Sequence, residues 1–128
     1  DEFNTDGAPN PSLWNYNIGN GQNGWGNNEL QYYTDRPKNV TVANGYMIIT
    51  AHRESFNGSQ YTSARLLTKD KFEQAYGRFE ARIRLPWGQG LWPAFWMLGA
   101  DIDTNPWPGA GEIDIMELRG QNPATVLG

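Results

Sequence analysis

Residues 111–118 read Gly-Glu-Ile-Asp-Ile-Met-Glu-Leu, so three carboxylic acids, Glu112, Asp114 and Glu117, are interleaved with Ile113, Ile115 and Met116. Along a regular strand successive side chains alternate faces, which places Glu112 and Asp114 together and Glu117 opposite them. A single β-bulge at Met116, or at its neighbour Ile115, removes the conflict. Two residues then oppose one on the partner strand, and Glu117 returns to the face of the other two acids. Glu112 and Glu117 would stand about four strand steps apart, roughly 13 Å between Cα atoms at ~3.3 Å per residue. Side chains leaning together over a concave sheet bring such carboxylates toward the ~5–5.5 Å at which one attacks an anomeric carbon and the other serves as acid, then base. Three acids this close do not all ionise cheaply, so a proton is expected to stay among them near neutral pH. The expected roles are Glu112 as nucleophile, Glu117 as acid/base, and Asp114 as the hydrogen-bonding partner that orients the nucleophile.

Two other readings compete. A lone acid–x–acid pair is more often the wet face of an ordinary strand. Here three like charges stacked on one face would destabilise a sheet with nothing gained, and the segment follows an aromatic strand suited to floor a sugar site. Calcium is the other rival, but it takes about six to eight oxygens, drawn mostly from flexible loops with carbonyl help. An extended strand offering three carboxylates is a poor match.

The elements that must position these acids read as β-strands. In residues 77–85, Phe79, Ala81, Ile83 and Leu85 alternate with Arg78, Glu80, Arg82 and Arg84, the pattern of a half-buried strand. Further strands are expected over 39–43, 46–53 and 61–68, the first two joined by Asn44-Gly45, a two-residue hairpin signal. Residues 91–99 are apolar on both faces, and Pro93 forbids a ladder N–H there, so this strand is expected to begin irregularly. Residues 101–111 hold Pro106, Pro108, Gly109 and Gly111 and read as a loop before the acidic strand. No helical stripe persists for three turns, and no repeat or charge block divides the chain, so residues 1–128 read as one unit. Turn-punctuated antiparallel strands indicate an all-β sandwich or jelly roll, whose curved sheet suits an extended polymer.

Composition agrees. Apolar residues make up 38% and aromatics 13%, with six Trp, 15 Gly and 8 Pro against only 19% charged residues, a turn-rich β composition. The formal net charge of −4 argues against nucleic acid, which needs clustered Lys and Arg. With no cysteine, neither a disulfide framework nor a thiolate metal site is available. No apolar run approaches the length of a membrane span.

The segment Glu112-Ile113-Asp114-Ile115-Met116-Glu117 resembles the active-site signature of glycoside hydrolase family sixteen, in the longer, bulged form of laminarinases. The resemblance runs along nearly the whole chain. It includes Asp1-Glu2-Phe3 at the domain opening, Gly26-Asn27-Asn28-Glu29-Leu30-Gln31-Tyr32-Tyr33 as a first cleft segment, Thr62-Ser63-Ala64-Arg65-Leu66 as another, and Leu91-Trp92-Pro93-Ala94-Phe95-Trp96-Met97-Leu98 as the Trp-rich strand before the catalytic one. It implies a β-jelly roll of two curved antiparallel sheets and a retaining mechanism on β-1,3-glucan, with Glu112, Asp114 and Glu117 in the roles derived above. The alternatives are a glucan-binding protein that uses the same cleft without chemistry, or a hydrolase or transglycosylase of another β-glycan such as mixed-linkage glucan, agar or carrageenan.

The same resemblance implies that Trp92 and Trp96 line the cleft, where indole faces stack on glucose rings, and that Trp107 on the Pro-rich loop is a further aromatic contact. Core packing is the ordinary alternative for each. Asn28 and Arg65 fall where family members touch sugar hydroxyls, a task suited to an amide and a guanidinium fork. No cofactor is expected for catalysis, but Glu2 and Gly45 occupy the places of two ligands to a structural calcium. His52, the only histidine, is expected to be structural. Family catalytic domains are roughly twice this long, so the resemblance implies that a second chain or segment supplies the C-terminal half and that this half alone exposes apolar strand edges. Action on a polymer places the protein outside the cell or in the periplasm.

Overall fold

Asn44 and Gly45 both adopt positive φ, 54° and 79°, the twist that lets a two-residue turn join antiparallel strands. This hairpin is one of several ladders in a computed structural model that describes all 128 residues. The chain forms two compact units, Asp1–Glu73 and Gln74–Gly128, and no helix is long and apolar enough to cross a membrane.

The first unit contains β1 (Asn15–Asn17), β2 (Gln31–Tyr33), β3 (Val40–Ala43), β4 (Tyr46–Ile49), β5 (His52–Phe56), β6 (Ser59–Ser63) and β7 (Arg65–Leu67). They form the hairpin β3–β4, the pair β1–β7 and the three-stranded sheet β2–β6–β5. A second two-residue turn, Asn57-Gly58 at φ 46° and 86°, links β5 to β6. Sequence reasoning did not use this turn, although it carries the same signal as Asn44-Gly45. β2 runs parallel to β6, a departure from the antiparallel pairing expected throughout.

Two segments expected to be single strands are each divided. Residues 46–53 break at Thr50–Ala51 and residues 61–68 at Ala64, and the pieces join different sheets. Ala64 is only 7% exposed. A small side chain at the bend lets the backbone turn from one ladder into the next without opening the core, and the apolar alternation continues across it unmarked.

The centre of this unit is small, with Val40, Val42 and Ala64 buried beside the polar Thr34, Asn39 and Thr62. Burying an amide is unfavourable unless its hydrogen bonds are met, and those of Asn39 are. Its Oδ1 accepts from Thr34 Oγ1 at 2.6 Å and Arg36 Nη2 at 3.0 Å, and its Nδ2 donates to the Thr50 carbonyl and Thr62 Oγ1. Thr62 Oγ1 donates in turn to Glu54 Oε1, which Arg36 also grips at 2.5 Å while Lys38 holds Oε2 at 2.8 Å. These bonds, led by that from Lys38, lower the Glu54 pKa to about 2. His52 bonds through Nε2 to the Lys38 carbonyl at 2.9 Å.

The second unit is a three-stranded antiparallel sheet ordered β10 (Val126–Leu127), β9 (Glu112–Leu118), β8 (Ala94–Leu98). The strand expected over residues 77–85 is absent. The segment is unpaired, with Ile83 45% exposed, because alternation encodes a face to bury but a strand also needs a neighbour for its N–H and C=O groups.

Candidate active site

The register of β9 on β8 decides where the three acids point. Leu98 faces Glu112, Met97 faces Ile113 and Trp96 faces Asp114. The register then slips, Phe95 facing Met116 and Ala94 facing Glu117. Ile115 is the surplus residue, so the expected bulge lies at the earlier of the two positions considered. Directly opposed residues share a face. The partners of Glu112, Asp114 and Glu117 are residues 98, 96 and 94, all of one parity on an uninterrupted strand, so the three carboxylates stand on one face of the sheet. Phe95, Met97, Ile113, Met116 and Leu118 fall on the other, where Leu118 is 2% exposed. Apolar side chains on that face and acids on this one are both served by the same one-residue insertion.

Trp96, directly opposite Asp114, belongs to the acid-bearing face and is half-buried. The β8 register continues past its first residue, the Pro93 carbonyl accepting from Leu118 N at 3.1 Å and the Leu91 carbonyl from Gly120 N at 2.7 Å. Trp92 therefore keeps the alternation of 94 and 96 and lies on the same face, 43% exposed. On the far side of β9, Leu127 opposes Glu117. Trp107 stands apart from the sheet, 66% exposed on the loop between β8 and β9. That loop is braced by the Asp101 carbonyl, which accepts from Thr104 N and Asn105 N.

Asn28 and Arg65 lie in the first unit, around a cluster that sequence reasoning missed. Residues 24–28 wind through a tight left-handed turn in which Trp25, Gly26 and Asn28 take φ of 56°, 80° and 57°, closed by Glu29 N donating to the Gly24 carbonyl at 3.1 Å. Trp25 packs on Tyr33 with ring centroids 5.7 Å apart, and the Arg65 guanidinium lies over the Trp25 ring at 4.7 Å from its centre. Glu29 Oε2 accepts from Tyr33 OH at 2.9 Å and Gln31 Nε2 at 2.5 Å, and Asn27 Nδ2 reaches Oε1 at 3.3 Å. Burial, followed by the negative charge of Glu29, raises the Tyr33 pKa, so its hydroxyl stays a donor. The available signal was a lone Trp inside Gly24-Trp25-Gly26-Asn27-Asn28, turn chemistry wrapped around an aromatic.

The suggested calcium ligands fit less well. Glu2 is exposed, Gly45 sits in the β3–β4 turn, and no group of three or more His, Cys, Asp or Glu is arranged to hold a metal ion. Two oxygens fall well short of the roughly six to eight that calcium takes, so these residues do not by themselves make a calcium site.

An antiparallel sheet carrying an aligned carboxylate row beside two Trp, in a nearly all-β chain, belongs to the β-jelly-roll class. Residues 21–126 match the profile described as an XgeA-like, catalytic GH16 domain. The chain is 52% identical over 132 residues to the beta-glucanase of Rhodothermus marinus, covering 100% of this chain and 45% of that one. It is 46% identical over 134 residues to the glucan endo-1,3-beta-glucosidase of Cryptopygus antarcticus, covering 100% and 47%. The solved laminarinase of Rhodothermus marinus matches with a TM-score of 0.92 over 98% of this chain and 51% of that chain. The chain thus belongs to glycoside hydrolase family sixteen, and it spans about half the length of these relatives.

Proposed function

We propose that the acid-bearing face of β8 and β9 is the centre of an endo-acting hydrolase of β-1,3-glucan of the laminarin type, working with retention of anomeric configuration. The observation that carries this reading is the bulge at Ile115, which aligns Glu112, Asp114 and Glu117 beside Trp96. The laminarinase and glucan endo-1,3-beta-glucosidase names of its relatives support the choice of substrate.

In the first step a Glu112 carboxylate oxygen attacks the anomeric carbon. The glycosidic C–O bond breaks as Glu117 gives its proton to the departing sugar oxygen, leaving a glycosyl ester on Glu112. In the second step Glu117 removes a proton from water, the water oxygen attacks the same carbon, and the ester bond to Glu112 breaks, restoring the β configuration. Asp114, between the two on the same face, orients Glu112 by hydrogen bonding. Trp92 and Trp96 offer ring faces to glucose C–H faces, Trp107 adds an outer aromatic contact, and Asn28 and Arg65 bind sugar hydroxyls. A substrate of this size places the activity outside the cell or in the periplasm. The exposed apolar residues Ile113 and Val126, 61% and 56% accessible, support completion of the sheets by strands beyond these residues. Calcium at Glu2 and the Gly45 carbonyl requires further oxygens from the same source.

The test is product analysis on laminarin, lichenan and agarose with NMR of the freshly released anomer, using the full-length protein. Laminarin is expected to be cut to oligosaccharides with the β-anomer appearing first, and an initial α-anomer overturns the retaining assignment. Binding of laminarin with no new reducing ends would make the protein a glucan-binding relative instead. The variant Glu112→Ser is expected to lose turnover and keep oligosaccharide binding, and unchanged hydrolysis would remove Glu112 from the mechanism.

A further inference from the structure

The cluster around Trp25 contains more machinery than a surface turn requires. Trp25 occupies a left-handed backbone conformation, φ 56°, which bulky residues adopt at a cost. Its indole N–H is buried without a hydrogen-bond partner, a further unfavourable feature that a phenyl ring would avoid. A residue placed here despite both penalties is used for its ring, and that half-buried ring has neighbours on several sides. Gly21 lies so close that a Cβ there would come within 2.5 Å of the indole. Tyr33 packs at 5.7 Å, and the Arg65 guanidinium stands 4.7 Å from the ring centre. Behind the ring, Tyr33 is fixed by its bond to Glu29, and Glu29 closes the turn through its own N–H to the Gly24 carbonyl.

We propose that Trp25 is a positioning residue that sets the orientation of the Arg65 guanidinium toward sugar hydroxyls, braced from behind by the Tyr33–Glu29 hydrogen bond. This rests on the reading of Arg65 as a sugar contact given above. A long Arg side chain has many rotamers, and holding it before the substrate arrives removes an ordering cost from binding. An aromatic face attracts a guanidinium from above its plane and so fixes the plane in which its N–H groups lie. The indole offers the strongest such attraction among the aromatic side chains, which accounts for Trp in a turn that disfavours it. Because the effect passes through binding, it belongs to KM.

The experiment is a double-mutant cycle in the full-length protein, with kcat and KM measured on a series of laminari-oligosaccharides. Trp25→Leu is expected to raise KM roughly 2- to 30-fold, the range of a cation–π contact, with kcat unchanged. Trp25→Phe, which keeps a ring face, should recover most of that loss. On an Arg65→Ala background Trp25→Leu should add nothing, since both remove the same interaction. Tyr33→Phe keeps the ring contact but drops the bond to Glu29; it should shift KM in the same direction and also vanish on the Arg65→Ala background, and it stands in if Trp25→Leu does not fold. Additive effects of Trp25 and Arg65, or a loss of kcat with KM intact, overturn the positioning role. An unchanged KM for Arg65→Ala alone instead removes Arg65 from sugar binding, a failure of the functional reading that the cycle separates from failure of the inference.

Discussion

Deleting Ile115 and inserting a residue beside it should have opposite consequences. Without Ile115, residues 112–114 keep their partners at 98–96 and residues 116–118 keep theirs at 95–93, because the deletion removes only the surplus residue. The acid positions stay opposite Leu98, Trp96 and Ala94, so Glu112 and Glu117 remain four partner steps apart, still roughly 13 Å at ~3.3 Å per residue. Ile115 is half-buried, and losing half of a side chain worth ~1.5–3 kcal/mol when fully buried sacrifices about 1 kcal/mol. Regular ladder pairing restored at the bulge returns about 1 kcal/mol, so stability should be nearly unchanged. Hydrolysis of laminarin should fall by less than about tenfold, the rate equivalent of about 1.4 kcal/mol. An Ala inserted after Asp114 leaves two surplus residues. A one-residue bulge absorbs one, and the remaining slip turns Glu117 onto the face of Phe95 and Met97, removing an acid/base contribution of roughly 10²- to 10⁴-fold. The assay is reducing-sugar release by both variants, with near-UV circular dichroism to confirm packing. A folded deletion variant as inactive as the insertion variant, or an insertion variant with full activity, would show that register at the bulge does not set the acid-bearing face.

Other outcomes follow from the same structure. Glu54 has a folded pKa lowered to about 2, so its contribution is present above the ordinary carboxylate range and is lost as pH falls from about 4.3 through about 2; denaturation midpoints of wild type and Glu54→Gln should differ at pH 6 and converge near pH 2, and a gap that persists at pH 2 contradicts the ion-pair account. Gly58→Ala should destabilise by about 1–2 kcal/mol, because its φ is +86° while an added Cβ meets nothing within 4 Å; a neutral result in urea unfolding would show that the turn relaxes freely. Residues 1–128 produced alone should associate through exposed apolar strands, and a monomer with a single cooperative melt by light scattering and calorimetry would contradict completion of the sheets from elsewhere.

Much of the acid-bearing sheet was legible because two local rules met there. Alternation placed Glu117 on the wrong face, and only a bulge reconciled it with the apolar pattern of Ile113, Met116 and Leu118. Asn44-Gly45 was equally readable, since positive φ at two consecutive positions narrows the residue choice by itself. The segment 77–85 misled because its alternation is real while its pairing depends on a neighbour that local sequence cannot specify. The breaks at Thr50–Ala51 and Ala64 were hidden for a related reason: a chain moving between ladders need not interrupt its apolar rhythm. The parallel pairing of β2 with β6 and the stack of Arg65, Trp25 and Tyr33 depend on long-range closure, of which the sequence displays only the ends.

The connection between β1 and β2 has both of its ends fastened to one run of backbone. Asn17 is in register with Arg65 and Gln31 with Tyr61, and Gly19 and Tyr33 exchange both backbone bonds, at 3.0 and 2.8 Å, to close the neck. The excursion between them is therefore an exchangeable cassette. Its length can change without re-indexing either ladder, and around Trp25 and Asn28 its composition can change as well. Such a cassette gives selection, or a protein engineer, a place to change the surface around Trp25 and Asn28 while the carboxylate row on β9 keeps its register.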